Sequence, residues 1–506
     1  MLRRKPSQIN VNGKELKVNG NGNVQDGKGK PSTSSSPSDS SYRTRVVSRT
    51  TLLFLVLLVA AILIIAGVLL YLLLKKDDTA CYPTRRDVTC YHDISKPYRL
   101  YSTKTDYRTL VEEQKLNDVT EFVVPGCKAH AIFLLQRHTT RYPDRDNIIE
   151  MRDSLPLLLS SVHDAFNEKK THLCPKDMER LQNWTLSFVP DDDNRVSKSG
   201  EEVVFEQVRR FKKRFPTLFE KTYDPKDYVV GFTSRNRTLE TAKAFLQELL
   251  TKEDYERAVN NLGGPQDALL QFHKECAKRQ KKKKLVVEEV ERFEGGAYMK
   301  ALLDAVSWRL GVTVNRTTLK LISRLCSFNA AILGESPWCA ALTEDDWKVL
   351  EFREDLDDYY KDGYGREMNY AQACPVVKEL IYRLRNASAV PDQPTKLLYF
   401  SHSGGFKKVV ARLGLMRDAL PLRADQYCAL ASRKWRSSYM CPFNANLAFM
   451  LYKCGGAHND VVTTFLNEQL QQLPGCPSMH CPFKTFLSLY ENVAETCSFD
   501  DICGLE

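Results

Sequence analysis

Several features are missing from this chain of 506 residues. No segment repeats within residues 81–506, which excludes repeat arrays. Within residues 81–506 no glycine-rich loop of the G-x-x-x-x-G-K or G-x-G-x-x-G type occurs, so nucleotide-binding folds lose support. None of the 15 cysteines forms a C-x-x-C pair, which argues against ribbon-type metal sites. No cysteine precedes Cys81, and no charge falls between residues 52 and 74. Little net charge remains beyond that stretch. Of the formal +10, residues 1–50 supply +7, from ten Lys/Arg against Glu15, Asp26 and Asp39, leaving +3 for everything else. A general nucleic-acid binder does not fit that distribution.

With 43% hydrophobic and 27% charged residues, the chain is globular in composition and long enough for a sizeable core in one large or two to three ordinary domains. Residues 52–74 form a 23-residue apolar run. As a helix it would extend about 35 Å, enough to cross a hydrocarbon layer of about 30 Å. All 15 cysteines follow it, as do the sequons at Asn183, Asn236, Asn315 and Asn386. That asymmetry predicts an oxidising, glycosylating compartment on the C-terminal side. The expectation is a single-pass type II membrane protein: a disordered, basic cytoplasmic tail over 1–50, a transmembrane signal-anchor helix over 51–76, and a lumenal or extracellular remainder. Disulfides are expected, with at least one thiol left over, and Cys476 with Cys481 and Cys497 with Cys503 read as C-terminal staples.

One pattern then occurs three times: a short apolar strand, a polar turn carrying Arg or His, and helix-like sequence. Residues 131–136 lead into Arg137-His138-Thr139-Thr140-Arg141-Tyr142-Pro143. Residues 228–232 lead into Thr233-Ser234-Arg235-Asn236-Arg237 and a helix over 239–250 that Thr233 or Ser234 would cap. Residues 397–400 lead into Ser401-His402-Ser403-Gly404-Gly405 and a helix over 406–413. In an open α/β sheet, ligands bind at the carboxyl ends of the strands. Neighbouring strands would therefore bring Arg137, His138, Arg141, Arg237 and His402 to one pocket. Three guanidiniums and two imidazoles share apolar surroundings only if an anion joins them, and phosphate suits arginine's paired donors.

The first motif resembles the RHGxRxP signature of the histidine phosphatase superfamily, in its histidine acid phosphatase and phytase branch, and Tyr142 before Pro143 suits the multiple inositol-polyphosphate phosphatases. The segments around Gly200, 234–245, 397–404 and 435–452 are similar to further blocks of that group. The resemblance implies a central, mostly parallel sheet flanked by helices over 77–245 and 393–506, with a mainly helical domain inserted at 246–392. It also implies a phosphomonoesterase acting on inositol polyphosphates without metal or cofactor. His138 would carry the phosphoryl group, and Arg137, Arg141, Arg237 and His402 would hold its oxygens. The chain departs from the pattern at Thr139, where the family has glycine, and at His402-Ser403-Gly404, where the family places an acid after its histidine. Asp144, Asp146 and Glu240 are the nearest substitutes in sequence. The alternative is a weakened or inactive relative that binds polyanions. Helices are expected over 252–262, 267–291, 296–310, 318–326 and 343–360, and the basic run from Lys278 to Lys284 would steer polyanions or form a solvated face.

Overall fold

The structure is a computed structural model that describes residues 49–74, 81–82, 90–93, 100–219, 222–283, 287–455 and 459–504. It divides into two compact units, 1–75 and 76–506. In the first, Arg49–Leu74 is a 26-residue helix, and its described side chains, over 53–67, are exposed. Among the described residues no helix is long and apolar enough to cross a membrane. The expected anchor thus runs past those described side chains at both ends, and the expected tail over 1–48 lies outside the described residues.

The second unit is built on a seven-stranded sheet: β1 (Cys127–Arg137), β2 (Tyr228–Gly231), β3 (Lys396–Ser401), β4 (Asn446–Cys454), β5 (Val461–Leu466), β6 (Gln469–Gln471) and β7 (His480–Pro482). The order is β2-β3-β1-β4-β5-β6, with β7 also on β5. β1, β2 and β3 cover the three predicted strands. β1 and β3 are buried along most of their length on both faces, which explains their unbroken apolar sequence. Ala131, Phe133 and Leu135 face one core, while Ile132 and Leu134 face the other.

The sheet is mixed, not mostly parallel as expected. β2 and β1 run parallel to β3, but β4 pairs antiparallel with β1, and β5, β6 and β7 continue antiparallel. Parallel pairs need long crossovers, which precede β2 and β3, whereas short links make β4–β5 and β5–β6 antiparallel; the long helical connection from Ser401 to Asn446 leaves the direction of β4 unconstrained by link length. The second link is Asn467-Glu468, both at positive φ (51° and 64°), as a two-residue hairpin with matching twist requires.

Residues 246–392 carry only helices among those described. The expected continuous helix over 267–291 is four short ones, Asp267–Leu270, Phe272–Glu275, Ala277–Lys283 and Glu288–Glu294. Gln271 and Cys276 leave helical geometry at the breaks, and Cys276 is tied to Cys503. Seven disulfides form: Cys81–Cys428, Cys90–Cys174, Cys127–Cys454, Cys276–Cys503, Cys326–Cys339, Cys374–Cys497 and Cys476–Cys481. Cys441 is left free and buried. The Cys497–Cys503 staple does not form. Ser498 caps the helix Phe499–Cys503, and that turn of helix separates the two thiols and directs each to the inserted segment.

Candidate active site

Strand register brings the motif residues together. β1 and β3 pair so that Arg137 lies opposite Ser401, and the His138 amide then donates to the Ser401 carbonyl at 2.9 Å. His402 follows at once, N-capping the helix Ser403–Arg412. Both rings are buried, with centroids 5.5 Å apart. The His138 Nδ1 lies 2.9 Å from the carbonyl oxygen of Thr139. A carbonyl only accepts, so Nδ1 carries the proton and Nε2 presents its lone pair.

Arg137 donates from one terminal nitrogen to the carbonyls of Thr103 and Cys441, at 2.5 and 2.9 Å, with its guanidinium over the Phe443 ring. Arg141 lies over Phe328 of the inserted segment and donates to the Tyr142 carbonyl at 2.6 Å. Arg237, in the helix Asn236–Leu249, reaches Asn194 at 3.4 Å. Among the described residues none of the three guanidiniums forms an ion pair, and the buried Nε of each has no partner. Nδ1 of His402 and the hydroxyl of Thr140 are equally unpartnered. Buried polar groups are ordinarily satisfied, so five such atoms on residues grouped at one site mark a ligand's position.

The electrostatics agree. Burial, then the charges of Arg137, Arg237 and Arg141, hold His138 well below its usual pKa. Burial and Arg237 push His402 down to about 2. Burial and mutual repulsion lower Arg141 to about 9, and Arg237, crowded by Arg235 and Arg137, to about 10. Each shift disfavours positive charge, and an anion held among these groups would oppose it.

Some assignments made from sequence change. Neither Thr233 nor Ser234 caps the helix Asn236–Leu249; Arg235 stands at that position without a side-chain bond. The Thr233 hydroxyl instead lies 2.9 Å from His402 Nε2 and 2.9 Å from Thr238 Oγ1. Asp144 bonds Asn147, Asp146 is exposed, and Glu240 accepts from the Val196 amide. In the basic run, Arg279 turns inward to Asp362 and Lys278 reaches the Asp501 carbonyl, while Lys284 lies outside the described residues.

Other residues at the site carried no sequence signal. Lys104 is near Arg137 and Arg141, its amine lowered by burial. His273 packs against Gly404, where a Cβ would lie 3.3 Å from its Nε2. Apart from the site, Cys90, His92, Cys174 and Asp177 have metal-ligand chemistry, but Cys90 and Cys174 are spent in their disulfide.

Comparison with known proteins agrees with this geometry. Residues 131–467 match the family model described as histidine phosphatase superfamily (branch 2). Multiple inositol polyphosphate phosphatase 1 of Drosophila melanogaster is 29% identical over 413 residues, covering 78% of this chain and 86% of that protein. The Homo sapiens protein of the same name is 28% identical over 411 residues, covering 76% and 83%. The fold is similar to Bifidobacterium longum multiple inositol polyphosphate phosphatase in complex with inositol hexasulfate, with TM-score 0.56, 12% identity and coverage of 76% and 95%. It is also similar to a phytase from D. castellii, with TM-score 0.56, 14% identity and coverage of 82% and 92%. The chain belongs to the histidine phosphatase superfamily, branch 2.

Proposed function

We propose that this protein hydrolyses phosphomonoesters through a phosphohistidine at His138, with inositol polyphosphates as its substrates. One observation carries the reading: three arginines whose buried Nε atoms have no partner are grouped with an imidazole whose Nε2 lone pair is unprotonated. The substrate class follows from the two relatives named for inositol polyphosphates.

Nε2 of His138 attacks phosphorus in line with the ester oxygen; the N–P bond forms as the P–O bond breaks, and the leaving alkoxide takes a proton. Arg137, Arg141, Arg237 and Nδ1–H of His402 hold the equatorial oxygens, where charge accumulates during transfer. Thr233 can donate to His402 Nε2, which keeps the proton on Nδ1 facing that charge. Water then attacks phosphorus and the N–P bond breaks. Neither step requires a metal or an organic cofactor. In this reading 77–245 and 393–506 form the catalytic core and 246–392 its roof, to which Phe328 and His273 belong.

Gly404 favours one other reading, a polyanion binder with weak or no turnover, because it offers no acid. Quenching the protein without acid after mixing with labelled phytate separates the two. Turnover with trapped phosphate, both abolished by His138→Ala, supports the enzyme. Tight binding without trapping supports the binder.

We also propose that residues 52–74 span a secretory-pathway membrane, with 1–50 cytosolic and the catalytic unit lumenal or extracellular. The seven disulfides and the exposure of Asn183, Asn236 and Asn315, with Asn386 half-buried, suit that side. Resistance of the C-terminal unit to protease in sealed vesicles, with an endoglycosidase-sensitive mass, is the expected result.

A further inference from the structure

We propose that His273 is the catalytic acid of this site, delivering the proton to the leaving oxygen from the position that Gly404 leaves open. The inference deepens the phosphatase reading and rests on it.

The geometry is local. Gly404 is the second residue of the helix that His402 caps, and a Cβ there would meet His273 Nε2 at 3.3 Å and Asp362 Oδ2 at 3.5 Å. A Cβ at Gly405 would meet His273 Nδ1 at 3.6 Å. The imidazole therefore packs along a helix turn stripped of side chains, just after a residue that faces the phosphoryl position. The two glycines and the histidine are a matched set.

The backbone that carries the ring is held from several sides. The His273 backbone carbonyl accepts from Arg279 at 3.2 Å and Gln280 at 3.1 Å. The next carbonyl but two before it, that of Leu270, accepts from Ser401 Oγ at 2.7 Å, and Cys276 is anchored by its disulfide. His273 is 5% exposed, and its Nδ1 has no partner.

Asp362 is the obvious rival, and its environment rules it out. Lys408 and Arg279 bind Oδ1 and Lys407 binds Oδ2, holding the carboxyl far below its usual range. It stays ionised and has no proton to give. That fixed charge instead favours the imidazolium of His273, against burial, Arg279, Lys408 and Lys274, which lower it to about 3. A polyphosphate bound beside it acts in the same direction as Asp362. His402, Arg237 and Arg137 are further charged or titratable groups on this side of the site.

The steps balance. The substrate binds together with a solvent proton on His273; as the ester P–O bond breaks, Nε2–H passes that proton to the leaving oxygen, giving alcohol and neutral imidazole. In the second step neutral His273 takes a proton from the attacking water, the N–P bond breaks, and phosphate leaves.

A leaving-group comparison on the full chain tests this, using phytate, whose alkoxide needs a proton, and p-nitrophenyl phosphate, whose phenolate does not. For both His273→Gln and His273→Ala, the ratio of phytate to aryl-ester kcat should fall about 10²–10⁴-fold. Adding Gly404→Glu to His273→Ala should recover the ratio, since the carboxyl enters the cleared space. Equal loss on both esters, an unchanged ratio, a selective loss in Asp144→Asn instead, or no phytate turnover by the unaltered protein would each overturn the assignment. Loss of both esters in His138→Ala reports separately on the phosphohistidine.

Discussion

Thr139 donates its hydroxyl to the Gly200 carbonyl at 2.8 Å, tying the loop after β1 to the first turn of the helix Lys198–Arg214. The residue that departs from the family's glycine is thus bonded in place, and its amide bonds Thr241 Oγ1 at 3.1 Å. Gly200 is the constrained partner, because any Cβ there would overlap the Thr140 carbonyl. Thr139→Gly is expected to cost about 1–2 kcal/mol of unfolding free energy, from one lost bond and added chain freedom. Urea denaturation measures it. Gly200→Ala must displace the loop holding His138, and a shift of about 1 Å is enough to lower kcat by roughly 10²-fold.

The 2.9 Å contact between Thr233 and His402 gives a second expectation. Thr233→Val keeps the shape but leaves Nε2 without a donor, so the proton on Nδ1 is no longer enforced. About 1–1.5 kcal/mol of transition-state stabilisation should go, roughly a tenfold fall in kcat, with KM little changed. Thr233→Ser restores the hydroxyl and should restore the rate; an equal loss in both variants would sink the idea.

The parallel half of the sheet and its terminal Arg and His residues were legible because each lies in one contiguous stretch, strand then turn then helix. Nothing comparable marks the antiparallel half. The direction of β4 follows from no local link, since a long connection precedes it, and the hairpin after β5 lacks the glycine that usually betrays positive φ. Thr233 looked like a helix cap because a threonine there has the right chemistry; its partner, His402, is 169 residues away. His273 was invisible for the same reason. Its role depends on Gly404, and no local spacing connects them.

Glu468 shows what stabilises that unmarked hairpin. Its carboxylate takes two bonds from Arg210, at 2.8 and 2.9 Å, and one from the Tyr107 hydroxyl at 3.0 Å, all buried. Removing one member of such a pair strands the other charge and costs about 3–5 kcal/mol. Relief of the left-handed backbone is worth only about 1–2 kcal/mol. Glu468→Gly should therefore destabilise despite its easier φ, and Glu468→Gln more so. Equilibrium unfolding in urea, with unchanged m-value, checks both the sign and the order.

The buried imidazoles couple stability to pH in a direction that polyanion binding should oppose. His402 titrates near 2 in the folded protein, from an ordinary value of 6.5, and His273 near 3, while His138 is also strongly lowered. Below 6.5 the unfolded chain binds protons at these positions and the folded protein does not. Each group thus removes up to about 1.4 kcal/mol of stability per unit of acidification, starting at 6.5 and ending near its folded value. Above 6.5 none contributes. Inositol hexasulfate keeps its charge in acid and offsets the arginines, so it raises these pKa values when bound. Its stabilising effect, read as the shift in Tm between pH 7 and pH 4, should therefore grow as the pH falls. His402→Asn should flatten the acid limb by one proton and shrink that growth; a Tm shift independent of pH would show that the imidazoles and the anion do not share a site.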